Sequence, residues 1–309
     1  MIGIKCIASY LPTEFIDNLE QGKSFAKSEE YIRTRIGAWK LPKKSEAEET
    51  SDLAVSAVRN LISKTSLSAD EIELIALVTQ NGDRYGLPHT SPIVQEKLGL
   101  DKNIATFDIS LGCSGYVYGL AIVKGFLDAS GLKNGILVTA DPYSKIIDRT
   151  DRATTLLFGD AATATWVGQD AEWEIKAPLY LTDGAAGCNL HADNGILCMN
   201  GRKVYKFAVS NVPLHIRQIL ERECMDQEDI DAYCLHQGSA AIINAIANKF
   251  SNVKDKFIVS MGETGNTVSS SIPLLLEERI QRNDLNTILI SGFGVGLSIA
   301  TTIISNVSR

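Results

Sequence analysis

The segment FDISLGCSGYVYG, residues 107–119, predicts a strand, a sharp turn and a helix in immediate succession. A β-favouring run over residues 104–109 precedes the turn, and apolar residues at helical spacing follow Cys113. A cysteine at a helix N-terminus has its thiolate stabilised by free backbone N–H groups and by the helix dipole. Cys113 is therefore a candidate nucleophile, although most free cysteines are simply small buried hydrophobic residues.

The rest of the chain alternates strands and helices in the same way. Apolar runs predict strands at 2–8, 72–78, 134–140, 155–167, 173–180, 231–235, 286–291 and 297–304. Amphipathic patterns and caps predict helices at 28–37, 51–62, 90–98, 204–220, 239–250 and 269–281. Polar stretches at 39–50 and 182–200 predict loops. This alternation predicts an α/β fold with a mostly parallel, covered sheet, and the similar rhythm of both halves suggests an internal duplication.

Composition and charge exclude several classes of function. The 309 residues include 30 Lys and Arg against 37 Asp and Glu, a net charge of −7, so we expect no nucleic-acid partner and no anionic membrane partner. The six cysteines contain no C-x-x-C pair, which indicates reduced thiols and a cytoplasmic location. We expect neither a signal peptide nor a membrane span.

Three further motifs supply groups that could act with Cys113. LHQG at 235–238 follows a predicted strand and contains His236, which could equally be a core or capping histidine. GNT at 265–267 contains Asn266, which could equally cap the following helix. SGFGVGLS at 291–298 has the glycine spacing of a dinucleotide loop, but we expect a tight turn between adjacent strands whose N–H groups face a site.

Together, these motifs indicate covalent catalysis. An imidazole beside a thiol can lower the thiol pKa, and an amide with an imidazole N–H can stabilise an oxyanion or an enolate. A metal site is the weaker interpretation. Cys188, His191 and Cys198 lack a fourth ligand at the usual spacing, so we expect no metal.

The order of these motifs resembles β-ketoacyl-acyl carrier protein synthase III, a member of the thiolase-like superfamily of condensing enzymes. The resemblance spans the chain and includes YIRTRIG at 31–37, TDRATTLLFGDAA at 150–162 and KVYKFAV at 203–209. It implies two similar βαβαβαββ halves in a five-layered αβαβα arrangement, usually assembled as a homodimer. We expect the N-terminal half, with the cysteine, at 1–168 and the C-terminal half, with His and Asn, at 169–309.

The resemblance also implies a reaction, in which the chain is an acyltransferase of fatty acid biosynthesis. Cys113 would take an acyl group from acyl-CoA, and malonyl-acyl carrier protein would then enter as the second substrate. His236 and Asn266 would stabilise the enolate formed by decarboxylation. The N–H groups of Cys113 and of Gly294 or a neighbour would hold the oxyanion. The CoA thioester is a substrate, and no cofactor is implied.

Further positions of the family pattern are assigned to substrate binding by the resemblance. The residues implied to bind CoA are Tyr31, Arg35, Arg152 and Tyr205, although the two arginines could instead form surface ion pairs. Leu87 stands where a residue of the partner subunit closes the acyl pocket. Lys206 and Lys249 stand where basic residues meet the acidic carrier protein. Ala241 departs from the pattern, because a basic residue is common there.

Two other functions remain open from the sequence. The first is a thiolase-fold acyltransferase or specialised synthase that moves the acyl group to another acceptor, in a secondary-metabolite or surface-glycan pathway. Ala241 and the segment 182–200 motivate it. The second is a catalytically silent partner subunit, which the presence of Cys113, His236 and Asn266 disfavours.

Overall fold

The structure, a computed structural model, describes residues 1–282 and 284–308. Its strands are β1 Gly3–Tyr10, β2 Phe15–Asp17, β3 Lys40–Pro42, β4 Leu74–Val78, β5 Ala105–Ile109, β6 Asn134–Ala140, β7 Ala162–Gly168, β8 Trp173–Ile175, β9 Leu179–Thr182, β10 Leu190–Asp193, β11 Ile196–Met199, β12 Ala232–Leu235, β13 Thr287–Gly294 and β14 Ser298–Asn306. Its α-helices are α1 Asn18–Ser24, α2 Glu29–Tyr31, α3 Thr50–Lys64, α4 Thr90–Leu98, α5 Gly115–Ser130, α6 Arg152–Thr155, α7 Gly201–Arg222, α8 Ala240–Ala247 and α9 Ser271–Arg279. A π-helical turn, Ile32–Ile36, continues α2. The 3₁₀ turns are Ala69–Glu71, Asp83–Gly86, Tyr143–Lys145, Gly184–Asn189, Gln227–Asp229, Ser251–Lys256 and Val268–Ser270.

The strand order shows that the two halves repeat one topology. In the first half, the strands lie in the order β5-β4-β6-β7-β1. In the second half, the order β12-β13-β14 continues to β8 and β9, which both pair with β14. The outer strand of the second half is reduced to a single parallel bridge between Phe257 and Tyr233 of β12. Antiparallel pairing of β1 with β8 joins the two halves, so the predicted duplication of the fold is confirmed.

Helices cover both halves and also separate them. Helices α3 and α4 pack against the first half, and α7 and α8 pack against the second. Helices α5 and α9 lie between the halves, and each contacts strands of both. Each of these helix layers encloses an apolar core with the strands that it covers, and the central core joins residues of α5 and α9 to both sets of strands. The predicted five-layered αβαβα arrangement of the thiolase-like fold is therefore confirmed.

The prediction of a mostly parallel sheet was wrong. Among the paired strands of residues 1–282 and 284–308, β4–β5, β4–β6 and β12–β13 are parallel. The pairs β6–β7, β1–β7 and β13–β14 are antiparallel. Buried antiparallel strands have the same continuous apolar character as parallel ones when helices cover both faces, so the sequence pattern could not separate them.

Several predicted boundaries also differ from the structure. Residues 155–167 are not one strand, because Thr155 ends α6, residues 156–161 are irregular and β7 starts only at Ala162. Residues 173–180 divide between β8 and β9. The predicted loop 182–200 contains the hairpin β10–β11, which is held by burial of Leu190 and Leu197. The division into 1–168 and 169–309 stays a prediction, and residues 283 and 309 lie outside the described part.

Candidate active site

Cys113 lies in the turn that connects β5 to α5, at the carboxyl end of its strand. The N–H of Gly115 donates to the carbonyl of Gly112 at 2.8 Å and closes this turn. The hydroxyls of Ser114 and Ser298 are 2.8 Å apart and connect the turn to β14. Cys113 is only 5% exposed. The sequence prediction of a cysteine between a strand and a helix N-terminus is confirmed, and the thiol faces the junction of the two halves.

Burial controls the acidity of this thiol. Desolvation raises the pKa of Cys113 to about 12, and the nearby carboxylate of Asp141 adds to the rise. The backbone N–H groups of Val295 and of Cys113 itself oppose it, because both stabilise the thiolate. The expectation of a thiolate favoured by the helix N-terminus is therefore not met in the free protein. Desolvation is the larger effect, so the thiol is protonated at neutral pH.

The turn between β13 and β14 lies directly against Cys113. A Cβ atom at Gly292 would stand 2.6 Å from the carbonyl oxygen of Cys113. A Cβ atom at Gly294 would stand 2.7 Å from Sγ of Cys113. Glycine is therefore required at both positions for this close approach. The donor that the loop offers to the sulfur is the N–H of Val295, the neighbour of Gly294.

His236 follows β12 and is fixed by hydrogen bonds at both its backbone and its ring. Its N–H donates to the carbonyl of Ser291 at 2.9 Å. Its Nδ1 lies 2.7 Å from the hydroxyl of Ser271, and its ring meets the ring of Phe293 edge to face at 5.4 Å. Burial lowers the pKa of His236 to about 3. The imidazole is therefore neutral at physiological pH, and it can donate or accept a hydrogen bond without carrying charge.

Asn266 lies in the segment before α9, and its amide has a defined orientation. Its Oδ1 accepts the N–H of Val268, two residues further on, at 2.9 Å. The N-cap residues are Thr267 for the 3₁₀ turn and Ser270 for α9, so Asn266 does not cap the following helix. Because Oδ1 is used in this way, Nδ2 is the group left to donate into the site. Val268 itself has φ 53°, a left-handed conformation that is strained for a β-branched residue. This strained residue orients the amide.

A pocket of about 280 Å³ brings these groups together. Cys113, His236, Asn266 and Gly294 all line it, and it draws them from both halves of the chain. Tyr31, Arg35 and Tyr205, to which the resemblance assigns CoA binding, also line it. Ala241 is a lining residue too, so the departure from the family pattern falls inside the site.

Four predicted residues lie outside the pocket lining: Arg152, Leu87, Lys206 and Lys249. Arg152 begins α6, and Leu87 is 84% exposed at the end of a 3₁₀ turn. Neither Arg35 nor Arg152 forms an ion pair within residues 1–282 and 284–308, so the ion-pair interpretation of these arginines is not supported.

Sequence reasoning missed most of the apolar wall. Tyr143, Phe158, Leu190 and Met199 line the pocket, and the rings of Tyr143 and Phe158 lie 4.9 Å apart. The hydroxyl of Tyr143 donates to Oε1 of Gln80 at 3.3 Å. A signal for Tyr143 existed, because it follows β6, and ligands bind beyond the carboxyl ends of parallel strands. The hairpin residues Leu190 and Met199 gave no such signal.

The described residues contain neither a membrane-spanning helix nor a metal-binding cluster. No helix within residues 1–282 and 284–308 combines the length and the apolar character that crossing a bilayer needs. The same residues contain no group of three His, Cys, Asp or Glu side chains able to hold a metal ion. All six cysteines are free thiols.

The fold and the site define a class of protein, the thiolase-like condensing enzymes, in which a buried cysteine faces an imidazole and an amide. The family model described as 3-oxoacyl-[acyl-carrier-protein] synthase III matches residues 107–184, and the model of its C-terminal part matches residues 220–305. The chain belongs to this family, and it is therefore an acyltransferase of the condensing type.

Individual relatives support this assignment over nearly the whole length. A β-ketoacyl-[acyl-carrier-protein] synthase III of Oceanobacillus iheyensis is 36% identical over 305 residues, which cover 96% of each chain. The crystal structure of 3-oxoacyl-[acyl-carrier-protein] synthase III from Aquifex aeolicus is 32% identical with a TM-score of 0.91, covering 99% of this chain and 100% of that one. The priming β-ketosynthase of the R1128 polyketide biosynthetic pathway is 27% identical with a TM-score of 0.88, covering 99% and 96%.

Proposed function

We propose that the chain catalyses decarboxylative condensation of an acyl group from acyl-CoA with malonyl-acyl carrier protein, giving a 3-oxoacyl-acyl carrier protein. The observation that carries this proposal is the single pocket in which Cys113, His236 and Asn266 meet. The names of the full-length relatives, which are synthases III acting with an acyl carrier protein, support the choice of the second substrate.

The first step is transfer of the acyl group to Cys113. Its sulfur attacks the thioester carbonyl of acyl-CoA, and the carbonyl oxygen becomes an oxyanion. The N–H groups of Cys113 and Val295 already act on the sulfur, so they lie where donors to that oxyanion are needed. The C–S bond to CoA then breaks, and the thiol proton leaves with the CoA thiolate as free CoA.

The second step uses the other two side chains. Nδ2 of Asn266 and a ring N–H of His236 donate to the thioester oxygen of the malonyl group. The carboxylate leaves as CO₂, and the electron pair passes into an enolate that these two donors stabilise. The enolate carbon attacks the acyl-Cys113 carbonyl, the bond to Sγ breaks, and the released thiolate takes a proton from solvent.

Substrate-binding roles are proposed from the positions of residues in and near the pocket. Tyr31, Arg35 and Tyr205 line the pocket and are proposed to hold the CoA arm, with Arg152 further along its length. The cation of Lys27 lies 4.8 Å from the Tyr31 ring, which leaves that ring in an electropositive setting suited to a phosphorylated ligand. Lys206, near the pocket residue Tyr205 on α7, is proposed to meet the acidic carrier protein.

Lys249 is proposed for the same docking surface. Charge reversal of Lys206 and Lys249 together should raise KM for malonyl-acyl carrier protein and leave acylation by acyl-CoA unchanged, because neither lysine lines the pocket. Steady-state kinetics at two salt concentrations measure this. An unchanged KM would remove both residues from the docking surface.

A homodimer in the cytoplasm is proposed for the assembly. Strand β5 ends the sheet and has no partner on its outer side within the described residues. Tyr85 and Leu87 are exposed apolar side chains, which suits the proposal that Leu87 closes the acyl pocket of the partner subunit. Analytical ultracentrifugation tests the dimer, and Leu87→Asp tests the contact, with a monomer as the expected product. The six free thiols support the location.

Intact-mass spectrometry tests the proposed function first. The protein is incubated with a panel of acyl-CoA esters, and Cys113→Ala serves as the matched control. We expect an acyl adduct on the wild type that is absent from the variant. Malonyl-acyl carrier protein is then added, and CO₂ and the 3-oxoacyl product are measured. If an acyl adduct forms on Cys113 but no CO₂ is released under any condition, condensation is refuted and simple acyl transfer remains.

A second candidate keeps the acyl-Cys113 intermediate and changes the acceptor, in a specialised pathway. Ala241 favours it, since a basic residue of the family pattern is missing from the pocket lining. The structural similarity to the priming β-ketosynthase of a polyketide pathway also favours it. Introducing the basic residue with Ala241→Arg distinguishes the candidates. Condensation with malonyl-acyl carrier protein should rise if that carrier is the acceptor, and it should stay unchanged or fall otherwise.

A further inference from the structure

The hydroxyl of Ser271 is the one side-chain group that hydrogen-bonds the ring of His236 within the described residues. Its oxygen lies 2.7 Å from Nδ1 of His236 and 3.0 Å from the carbonyl oxygen of Val268. The N–H of Gln237 also points at it, at 3.4 Å. Ser271 is 2% exposed, so no bulk water competes for these bonds.

A hydroxyl has one proton, so two arrangements are available. In the first, Ser271 donates to the Val268 carbonyl and accepts Nδ1–H from His236, which leaves Nε2 without a proton. In the second, Ser271 donates to Nδ1, and Nε2 carries the proton. Because Nδ1 is occupied by Ser271 in both, Nε2 is the ring nitrogen left for the pocket.

Two features favour the second arrangement. The Val268 carbonyl already accepts the backbone N–H of Ser271, so it does not need the hydroxyl proton. The hydroxyl also lies closer to Nδ1 than to that carbonyl. We propose that Ser271 is a positioning residue that donates its hydroxyl to Nδ1 of His236 and thereby holds the Nε2–H tautomer. This rests on the proposed function, in which His236 donates to the malonyl thioester oxygen.

Removal of the hydroxyl should reverse the tautomer. The Val268 carbonyl also acts on the His236 ring, where it raises the imidazole pKa against burial. The Ser271 oxygen lies within hydrogen-bond distance of both Nδ1 and this carbonyl, which puts the carbonyl on the Nδ1 side of the ring. Because a carbonyl can only accept a hydrogen bond, we expect it to favour Nδ1–H once Ser271 is gone. In Ser271→Ala, Nε2 would then lose its proton. Among the described residues, Ser271, Phe293 and Val268 contact the His236 ring and no carboxylate hydrogen-bonds to it, so no acidic side chain would hold the proton on Nε2.

Ring-¹⁵N NMR of the full-length protein tests this, with His236→Gln used to assign the signal among the four histidines. We expect Nε2–H in the wild type and Nδ1–H in Ser271→Ala. Malonyl-acyl carrier protein decarboxylation should fall about 10²–10³-fold in the variant, the effect of losing one donor. Acylation of Cys113 by acyl-CoA should persist. Ser271→Thr, which keeps a hydroxyl, should restore both the tautomer and CO₂ release.

Ser270→Ala is the matched control for loss of a buried hydroxyl. Ser270 bonds to Thr139 and to the carbonyl of Ala161, away from His236, so its removal should keep Nε2–H and CO₂ release. The proposal would be overturned if the wild-type His236 carries its proton on Nδ1, or if the tautomer is unchanged in Ser271→Ala. Equal losses of CO₂ release in Ser271→Ala and Ser270→Ala would overturn it as well. If the wild type releases no CO₂, the proposed function fails, and the NMR comparison still decides the role of Ser271.

Discussion

Gly294→Ala is the change whose consequence follows most directly from the structure. The new Cβ would stand 2.7 Å from Sγ of Cys113 and 2.8 Å from its Cβ, whereas ordinary contacts begin at 3.4 Å. The Cβ atom of Cys113 cannot move away without its backbone, which belongs to the hydrogen-bonded turn before α5. The β13–β14 turn must therefore move, and overpacking of this kind costs about 1–3 kcal/mol of stability.

The displacement also affects chemistry. Moving the turn moves the N–H of Val295, which is proposed to hold the oxyanion during acylation. Loss of one such donor lowers a rate by about 10²–10³-fold. We expect acylation of Cys113 in Gly294→Ala to slow by at least about 10²-fold, measured as the rate of mass increase with acyl-CoA at a temperature well below unfolding.

Gly125→Ala provides the control. Gly125 lies inside α5, and a Cβ there meets no atom within 4 Å. Alanine in a helix interior stabilises by about 0.5–1 kcal/mol relative to glycine, so this variant should melt higher and acylate at the wild-type rate. Wild-type acylation by Gly294→Ala, or the same loss in Gly125→Ala, would refute the reasoning about the turn.

Three further changes separate the roles of the pocket residues. Asn266→Asp keeps the Oδ1 contact to Val268 but replaces the Nδ2 donor, so CO₂ release should fall about 10²–10³-fold while acylation continues; normal CO₂ release would contradict this. Tyr143→Ala removes one ring of the pocket wall, so the preferred acyl-CoA should have a longer acyl chain, and the protein should lose about 3 kcal/mol of folding stability. An unchanged chain-length preference would show that Tyr143 does not limit the pocket. The third change concerns the pH dependence of stability. The unfolded state binds a proton at His236 below pH 6.5, whereas the folded state binds it only below about pH 3. The wild type should therefore lose folding stability as pH falls from 6.5 to 3, by up to about 1.4 kcal/mol per pH unit. His236→Gln should unfold with a shallower acid dependence, measured by denaturant titrations at several pH values, and equal slopes would show that the buried imidazole does not titrate as described.

The pKa of Asp141 does not interfere with that comparison. Burial raises it to about 7, so the folded state binds more protons than the unfolded state between pH 3.8 and 7, and stability falls as pH rises. This trend has the opposite sign to that of His236. Because Asp141 is present in both the wild type and His236→Gln, its contribution cancels in the difference.

The local environment of each reactive residue was accessible from the sequence. The apolar run before Cys113 and the helical spacing after it define a turn at a strand end, and α5 begins two residues beyond the cysteine. His236 follows β12 in the same manner. These predictions succeed because strand and helix boundaries depend on neighbouring residues. Whether neighbouring strands run parallel or antiparallel could not be predicted in this way, because strand pairing depends on residues far apart in the chain.

Three properties of the site were decided by the tertiary structure alone. The sequence predicted a lowered Cys113 pKa from the helix N-terminus, but burial raises it, since desolvation depends on everything packed around the sulfur. The wall formed by Tyr143 and the β10–β11 hairpin arises from contacts across the fold. Ser271 reaches His236 across 35 positions of sequence.

The sequence by itself thus determined which residue types stand at strand ends and helix starts. With the family resemblance, it also predicted the thiolase-like fold and identified Cys113, His236 and Asn266 as the candidate reactive groups. Only the tertiary structure decided how those groups are protonated, which hydrogen bonds orient them and which side chains shape the pocket. Local propensity acts over a few residues, whereas desolvation, close packing and hydrogen-bond geometry depend on atoms that the completed fold brings together.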